Sequence, residues 1–185
     1  MFSKKNYAFV LIIVFTAISS VFADWKNNAK AIRISGGEKH TLVLTEDNYV
    51  WACGPNGDTE GSYYYGVLGI GSSSPTLVKK TLTHVHDGDM NTPSDFLENI
   101  TGISGGWKHS LAVDSNSGVW SWGWNYQGQL GDGTYTTRTE PVQVHGPNNV
   151  GLLQHIVAVA AGKSGKDFLK NFLCYHSINS NITIG

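Results

Sequence analysis

Ile34-Ser-Gly-Gly-Glu-Lys-His-Thr-Leu-Val-Leu44 and Ile103-Ser-Gly-Gly-Trp-Lys-His-Ser-Leu-Ala-Val113 are one segment written twice, 69 positions apart. After each histidine the residues alternate in the way that suits a half-buried strand. Polar turns follow, Thr45-Glu-Asp-Asn48 in one copy and Asp114-Ser-Asn-Ser-Gly118 in the other, and then a second, aromatic strand. That order is a hairpin signal. The glycine pair before each histidine predicts either backbone at positive φ or the close approach of another strand.

The repetition continues outward. Trp51, Cys53, Gly54 and Asn56 fall on Trp120, Trp122, Gly123 and Asn125 at the same offset. Gly66-Val-Leu-Gly-Ile-Gly71 then matches Gly128-Gln-Leu-Gly-Asp-Gly133 at an offset of 62, so the first copy holds seven extra residues, placed at 58–64. Leu97, Ile100 and Ile103 match Leu153, Ile156 and Val159, which opens a third copy at Ile156–Gly162. There the pattern fades. Gly165 stands where the third histidine belongs, and His176-Ser-Ile178 is a candidate for the displaced His-Ser-Leu position. A unit of this kind cannot bury its own face and needs neighbours stacked beside it.

The motif is Gly-Gly-x-x-His-[Ser/Thr]-Leu, then Trp-x-Trp-Gly-x-Asn, Gly-Gln-Leu-Gly-x-Gly and Pro-Val. It resembles the regulator of chromosome condensation repeat family. Residues 103–144 match almost position for position through Pro141-Val142; residues 32–80 match with the insertion and with Cys53 in place of the second Trp. The resemblance implies an all-β fold, a β-propeller of antiparallel four-stranded blades whose family ring has seven. Two full repeats and an opening imply a partial propeller with open strand edges. Other propellers repeat at shorter periods of roughly 40–50 residues, whereas the spacings here are 69 and 56.

Ahead of the repeats, Lys4 and Lys5 precede an apolar run from Ala8 to Ile18 and then Ser19-Ser-Val-Phe-Ala23. This is the layout of a secretory signal peptide, too short to span a bilayer as a helix, which needs about 20 residues. The expected organisation is a signal peptide at 1–23, a linker at 24–31, a first repeat at 32–99 and a second at 100–155. A truncated or divergent third repeat follows at 156–185, where truncation or a reading-frame break is expected. No other segment is apolar enough to span, so no membrane contact is expected after cleavage.

The whole chain of 185 residues carries 13 basic and 14 acidic side chains, a net charge of −1. That leaves no basic excess to neutralise a phosphate backbone, and no nucleic-acid partner is expected. The 22 glycines alongside six Trp and eight Tyr favour short strands and tight turns over long helices. Cys53 and Cys174 are too few for a disulfide scaffold or a four-cysteine zinc site; one bridge between them stays open, as does a small buried hydrophobe at Cys53.

His40 and His109 occupy equivalent positions with no nucleophile or carboxylate repeating beside them, so their expected work is packing and hydrogen bonding within the blade. With them, Gly37, Trp51 and Gly54 in the first copy and Gly106, Trp120, Trp122, Gly123, Asn125, Gly128, Leu130 and Gly131 in the second are read as structural. Gly162-Lys-Ser-Gly-Lys166 lacks the spacing of a phosphate-binding loop. Asp87, Asp89, Asn91, Asp95 and Glu98 fall at calcium-loop spacing, but Thr92 stands where the turn needs glycine. That stretch reads as a polar connection, and neither metal nor cofactor is expected. Asn99-Ile-Thr101 and Asn181-Ile-Thr183 fit the glycosylation triplet, which arises often by chance.

Tyr63, Tyr64 and Tyr65 in the insertion, with Trp124 and Tyr126 in the second repeat, are aromatics in loops, where such side chains anchor protein contacts or cover seams between blades. The functional reading is an exported, non-enzymatic protein–protein interaction module able to self-associate through its open edges. The resembled family implies a platform role: some members exchange nucleotide on a small nuclear GTPase, others bind chromatin, and a secreted bacterial member inhibits a β-lactamase. Two readings compete with it. One is a non-functional fragment of a longer repeat protein; the other is a secreted hydrolase, for which no His-Glu-x-x-His stretch is present.

Overall fold

In a computed structural model of the chain, which describes residues 29–58, 63–88 and 95–162 and the backbone of the strand at 172–176, the two copies become two four-stranded sheets. The first is β1 (Ala31–Gly36), β2 (Thr41–Thr45), β3 (Val50–Pro55) and β4 (Val78–His84), antiparallel in chain order. The second repeats it with β5 (Ile100–Gly105), β6 (His109–Asp114), β7 (Val119–Gly123) and β8 (Arg138–Gln143). A third sheet pairs β9 (Ile156–Ala161) with β10 (Phe172–His176). All of them belong to one compact unit, Ala31–Gly185. The expected signal peptide lies outside the described residues. Among those described, no helix is long and apolar enough to cross a membrane.

Both hairpins turn in the same way. Asn48 and Ser117 sit at φ +65°, and the amide of each donates to the residue three back, Thr45 and Asp114. Asp114 adds its carboxylate, which accepts from the Asn116 and Gly118 amides and from the Trp120 indole, each at 2.9 Å. The acid thereby fixes the turn and the first tryptophan of the following strand together.

In the glycine pairs, Gly37, Gly105 and Gly106 answer to close approach and not to positive φ, while a Cβ on Gly36 would meet nothing within 4 Å. A Cβ on Gly106 would lie 2.5 Å from the His109 ring, and one on Gly105 would lie 2.8 Å from the Gly37 amide nitrogen in the neighbouring blade. Positive φ falls instead at Gly54 (114°) and Gly123 (109°), where a Cβ would meet the backbone at His40 and His109.

Stacking follows the repeat. β1 packs on β5 and β5 on β9, the first strand of each sheet beside the first of the next, as in the inner ring of a propeller. Ser35 Oγ accepts from the Gly105 amide at 2.9 Å, and Ser104 Oγ accepts from the Ala161 amide at the same distance. Between the first two blades the core is Leu42, Leu44, Val50, Ala52, Leu68 and Val85 on one side and Ile100, Ile103, Ala112 and Trp122 on the other. Val113, Val119, Val144 and Ile156 form the next seam.

A polar knot pins the first seam. The Val67 carbonyl accepts both the Trp122 indole N–H at 2.9 Å and the Ser110 hydroxyl at 3.0 Å. Having given its proton, Ser110 accepts from His40 Nε2 at 3.0 Å, which places a proton on Nε2 of that ring. His40 therefore bonds between blades, not within its own. Burial, and after it the nearby His109, pushes the His40 pKa down to about 4.

Two further expectations change. His176 pairs with Ile156 at the far end of β10, in the place that Asp114 holds opposite Ile100, so His176 does not occupy the His-Ser-Leu position. Cys53 is a free, half-buried thiol, whereas its repeat counterpart Trp122 is wholly buried. The cause is the neighbour: Ile34, on the first blade, is 68% exposed where its counterpart Ile103 is covered by the preceding blade. The side chain of Cys174 lies outside the described residues.

Candidate functional site

The five aromatics singled out from the sequence converge. Tyr63, Tyr64, Tyr65, Trp124 and Tyr126 line one cleft of about 500 Å³ together with Lys108 and Thr137. It lies across the first seam, with the insertion of the first blade on one wall and loops of the second blade on the other.

Each wall is held by a buried asparagine. Asn56 accepts the Leu68 amide at 3.0 Å and donates to the Ser72 carbonyl at 2.8 Å, while its own carbonyl takes the amides of Tyr65 and Gly66. Asp58 accepts the Tyr63 amide at 3.1 Å, and Gly57 and Tyr64 form an isolated bridge. Residues 56–58 are thus tied to residues 63–66, the stretch that presents the three tyrosines. Asn125 does the same work in the second blade, accepting from Leu130 at 2.9 Å and donating to Asp132 and the Thr134 carbonyl at 3.0 Å. Burial pushes the Asp132 carboxyl up, but hydrogen bonds from Thr134 and Arg138 outweigh it and leave its pKa below the ordinary value. Arg138 Nε donates to that carboxylate at 2.7 Å.

Sequence reading missed Thr137 and Lys108, the latter in the β5–β6 turn. Its Nζ lies 4.0 Å from the centre of the Trp107 ring, 4.3 Å from Tyr65 and 5.3 Å from Trp124. Trp124 meets Trp107 edge-on and lies nearly parallel to Tyr126, both at 6.3 Å between centroids. Tyr63 and Tyr126 remain 69% and 76% exposed. The signal was available: Glu38 and Pro55 of the first copy become Trp107 and Trp124 in the second, so the aromatic surround exists at one repeat and not the other.

A second cleft, of about 520 Å³, gathers Tyr49, Asp87, Asp95, Phe96, Glu98 and Asp114. It takes in three of the five carboxylate and amide positions read as a calcium loop; Asp89 and Asn91 lie outside the described residues. Among the described residues no three His, Cys, Asp or Glu side chains could hold a metal ion. Glu98 is engaged with the Tyr49 hydroxyl at 3.1 Å, an acceptance that pushes the phenol pKa up. Asn99, the first glycosylation candidate, is exposed in a turn at φ +59°. The rejected phosphate-loop stretch lies beyond Gly162, outside the described residues.

Family models described as "Regulator of chromosome condensation (RCC1) repeat" match residues 31–60, 100–129 and 116–165, together just over half of the chain. Among curated proteins the chain is similar to the Ultraviolet-B receptor UVR8 of Arabidopsis thaliana, 32% identical over 130 residues. That alignment covers 69% of this chain and 26% of the receptor. It is 31% identical over 150 residues to the Regulator of chromosome condensation of Drosophila melanogaster, covering 78% of this chain and 23% of that protein. Human WBSCR16 has a similar solved structure, with a TM-score of 0.52 at 23% identity, over 73% of this chain and 30% of that one. The chain spans about a quarter or less of the length of the curated relatives it matches.

Proposed function

This chain belongs to the Regulator of chromosome condensation (RCC1) repeat family, and on that premise we propose that it is an exported, non-enzymatic protein–protein interaction module that binds through its aromatic cleft. The observation that carries the proposal is the convergence of Tyr63, Tyr64, Tyr65, Trp124 and Tyr126 around one opening. Tyr and Trp bury large areas at small entropic loss, which is why they dominate binding energy at interfaces. Among the described residues that line it, no nucleophile, base and orienting group meet, which favours recognition over chemistry.

A protein captured by the wild-type chain should be retained at least about tenfold less well by the double variant Tyr64→Ala/Trp124→Ala, with strand circular dichroism unchanged. Equal capture by both chains would remove the cleft from the interaction.

Residues 1–23 support export, to a secreted, periplasmic or cell-surface location. The exposed face of the first blade, with Ile32 at 55% and Ile34 at 68%, supports self-association, since a blade covers the same face of the second repeat. Native mass spectrometry of the exported chain reads both points. The expected species starts at Asp24 and is a discrete oligomer; an intact Met1 or a strict monomer would count against export or self-association respectively.

A further inference from the structure

Resting on that reading of the cleft, we infer that its occupant is a peptide segment carrying a carboxylate side chain between apolar ones, and that Lys108 selects it. Lys108 is half-buried beneath Trp107, Tyr65 and Trp124. The rings hold the ammonium but bring no net charge. Arg138 pairs with Asp132, and His86 Nδ1 meets Glu140 at 2.9 Å; neither contact involves Lys108. A cation is thus held in an aromatic setting with its counter-charge unsupplied by the described residues, and contact with the rings restrains its long stem before any ligand arrives.

Charge complementarity then defines the partner. A carboxylate would meet the ammonium, and its apolar neighbours would lie on Tyr63, Tyr64 and Tyr126. Among the described residues the lining supplies rings, one cation and the Thr137 hydroxyl, with no carboxylate or carboxamide. A neutral glycan, whose hydroxyls need such acceptors and donors, is matched less well. Lys39, the repeat counterpart of Lys108, shows that the arrangement is local: it is exposed, with Glu38 beside it and Pro55 in the place of Trp124.

The test uses the full chain and two blocked pentapeptides, Gly-Leu-Asp-Leu-Gly and its Asn analogue, titrated by tryptophan fluorescence and calorimetry. The Asp peptide should bind about tenfold more tightly than the Asn peptide, in the millimolar range or better. Lys108→Gln should abolish that preference and Lys108→Arg should keep it. High salt should weaken it in the wild type, a readout that survives even if the Gln variant does not fold.

Equal affinity for both peptides, with Trp124→Ala weakening both, would overturn the inference and leave the aromatic cleft as a binding site. Failure of both peptides to bind would sink the cleft reading along with it. Cellohexaose binding more tightly than the Asp peptide, and indifferent to Lys108→Gln, would overturn the inference in favour of a glycan.

Discussion

Replacing Trp122 by Ala should destabilise the full chain by about 3–5 kcal/mol, the range for emptying a buried aromatic site. Its side chain is wholly buried in the seam between the first two blades, against Leu42, Leu44, Leu68 and Val85. Its indole also supplies one of the two hydrogen bonds to the Val67 carbonyl. The site has little room to collapse: a Cβ on Gly69 would already sit 2.9 Å from the indole nitrogen. Trp122→Phe separates the two contributions, since it keeps most of the packing and loses the N–H donor, at a cost of about 1–2 kcal/mol. Cys53→Ala, at the same motif position one repeat earlier, should cost less than about 1 kcal/mol because that side chain is half-covered. Urea unfolding followed by circular dichroism checks all three. Equal losses at Trp122 and Cys53 would show that the repeat position, and not the covering blade, sets the energy.

That comparison shows what a single chain of letters can and cannot display. The 69-residue offset foretells the paired hairpins, and the structure reproduces even their turn residues, Asn48 and Ser117, at the same φ. The five aromatics of the cleft are also legible, because Tyr63 and Tyr64 fall in an insertion that Tyr65 borders and Trp124 departs from its repeat counterpart. What stays hidden is anything decided across the seam. Ser110 reads as the small half of a Ser/Thr position until its hydroxyl is seen bridging His40 and Val67. Lys108 reads as a repeated lysine until the rings of two blades close on it. The third repeat misleads for a related reason. His176 keeps the His-Ser order of the motif, but strand register, set by backbone pairing with β9, puts it at the opposite end of β10. Local composition predicts elements; which face is covered depends on a partner element distant in sequence.

Acidification should loosen the blade seam through His40, with a sign that follows from its depressed pKa. In the folded chain the ring stays neutral down to about pH 4, whereas an unfolded histidine takes up its proton near the ordinary value of 6.5. Between those two values the unfolded state binds more protons, so stability is full above about pH 6.5 and falls as the pH drops toward 4. At 1.36 kcal/mol per unit, going from neutrality to about pH 4.5 removes between about 2 and 3 kcal/mol through this one group. Protonation would also do local damage. A charged His40 must donate from both ring nitrogens in a site built around one donation to Ser110, beside a second buried histidine, His109. His40→Gln retains an N–H for Ser110 and has no titration in this range. Its stability at neutral pH should lie below that of the wild type, and its loss between neutrality and about pH 4.5 should be smaller than the wild-type loss by those same 2–3 kcal/mol. The Asp132 carboxylate, held below its ordinary pKa, acts in a lower window, its contribution falling away beneath the usual aspartate value. Urea midpoints of the two chains across this range decide the matter: parallel pH dependences would mean that the acid sensitivity of the seam lies elsewhere than in His40.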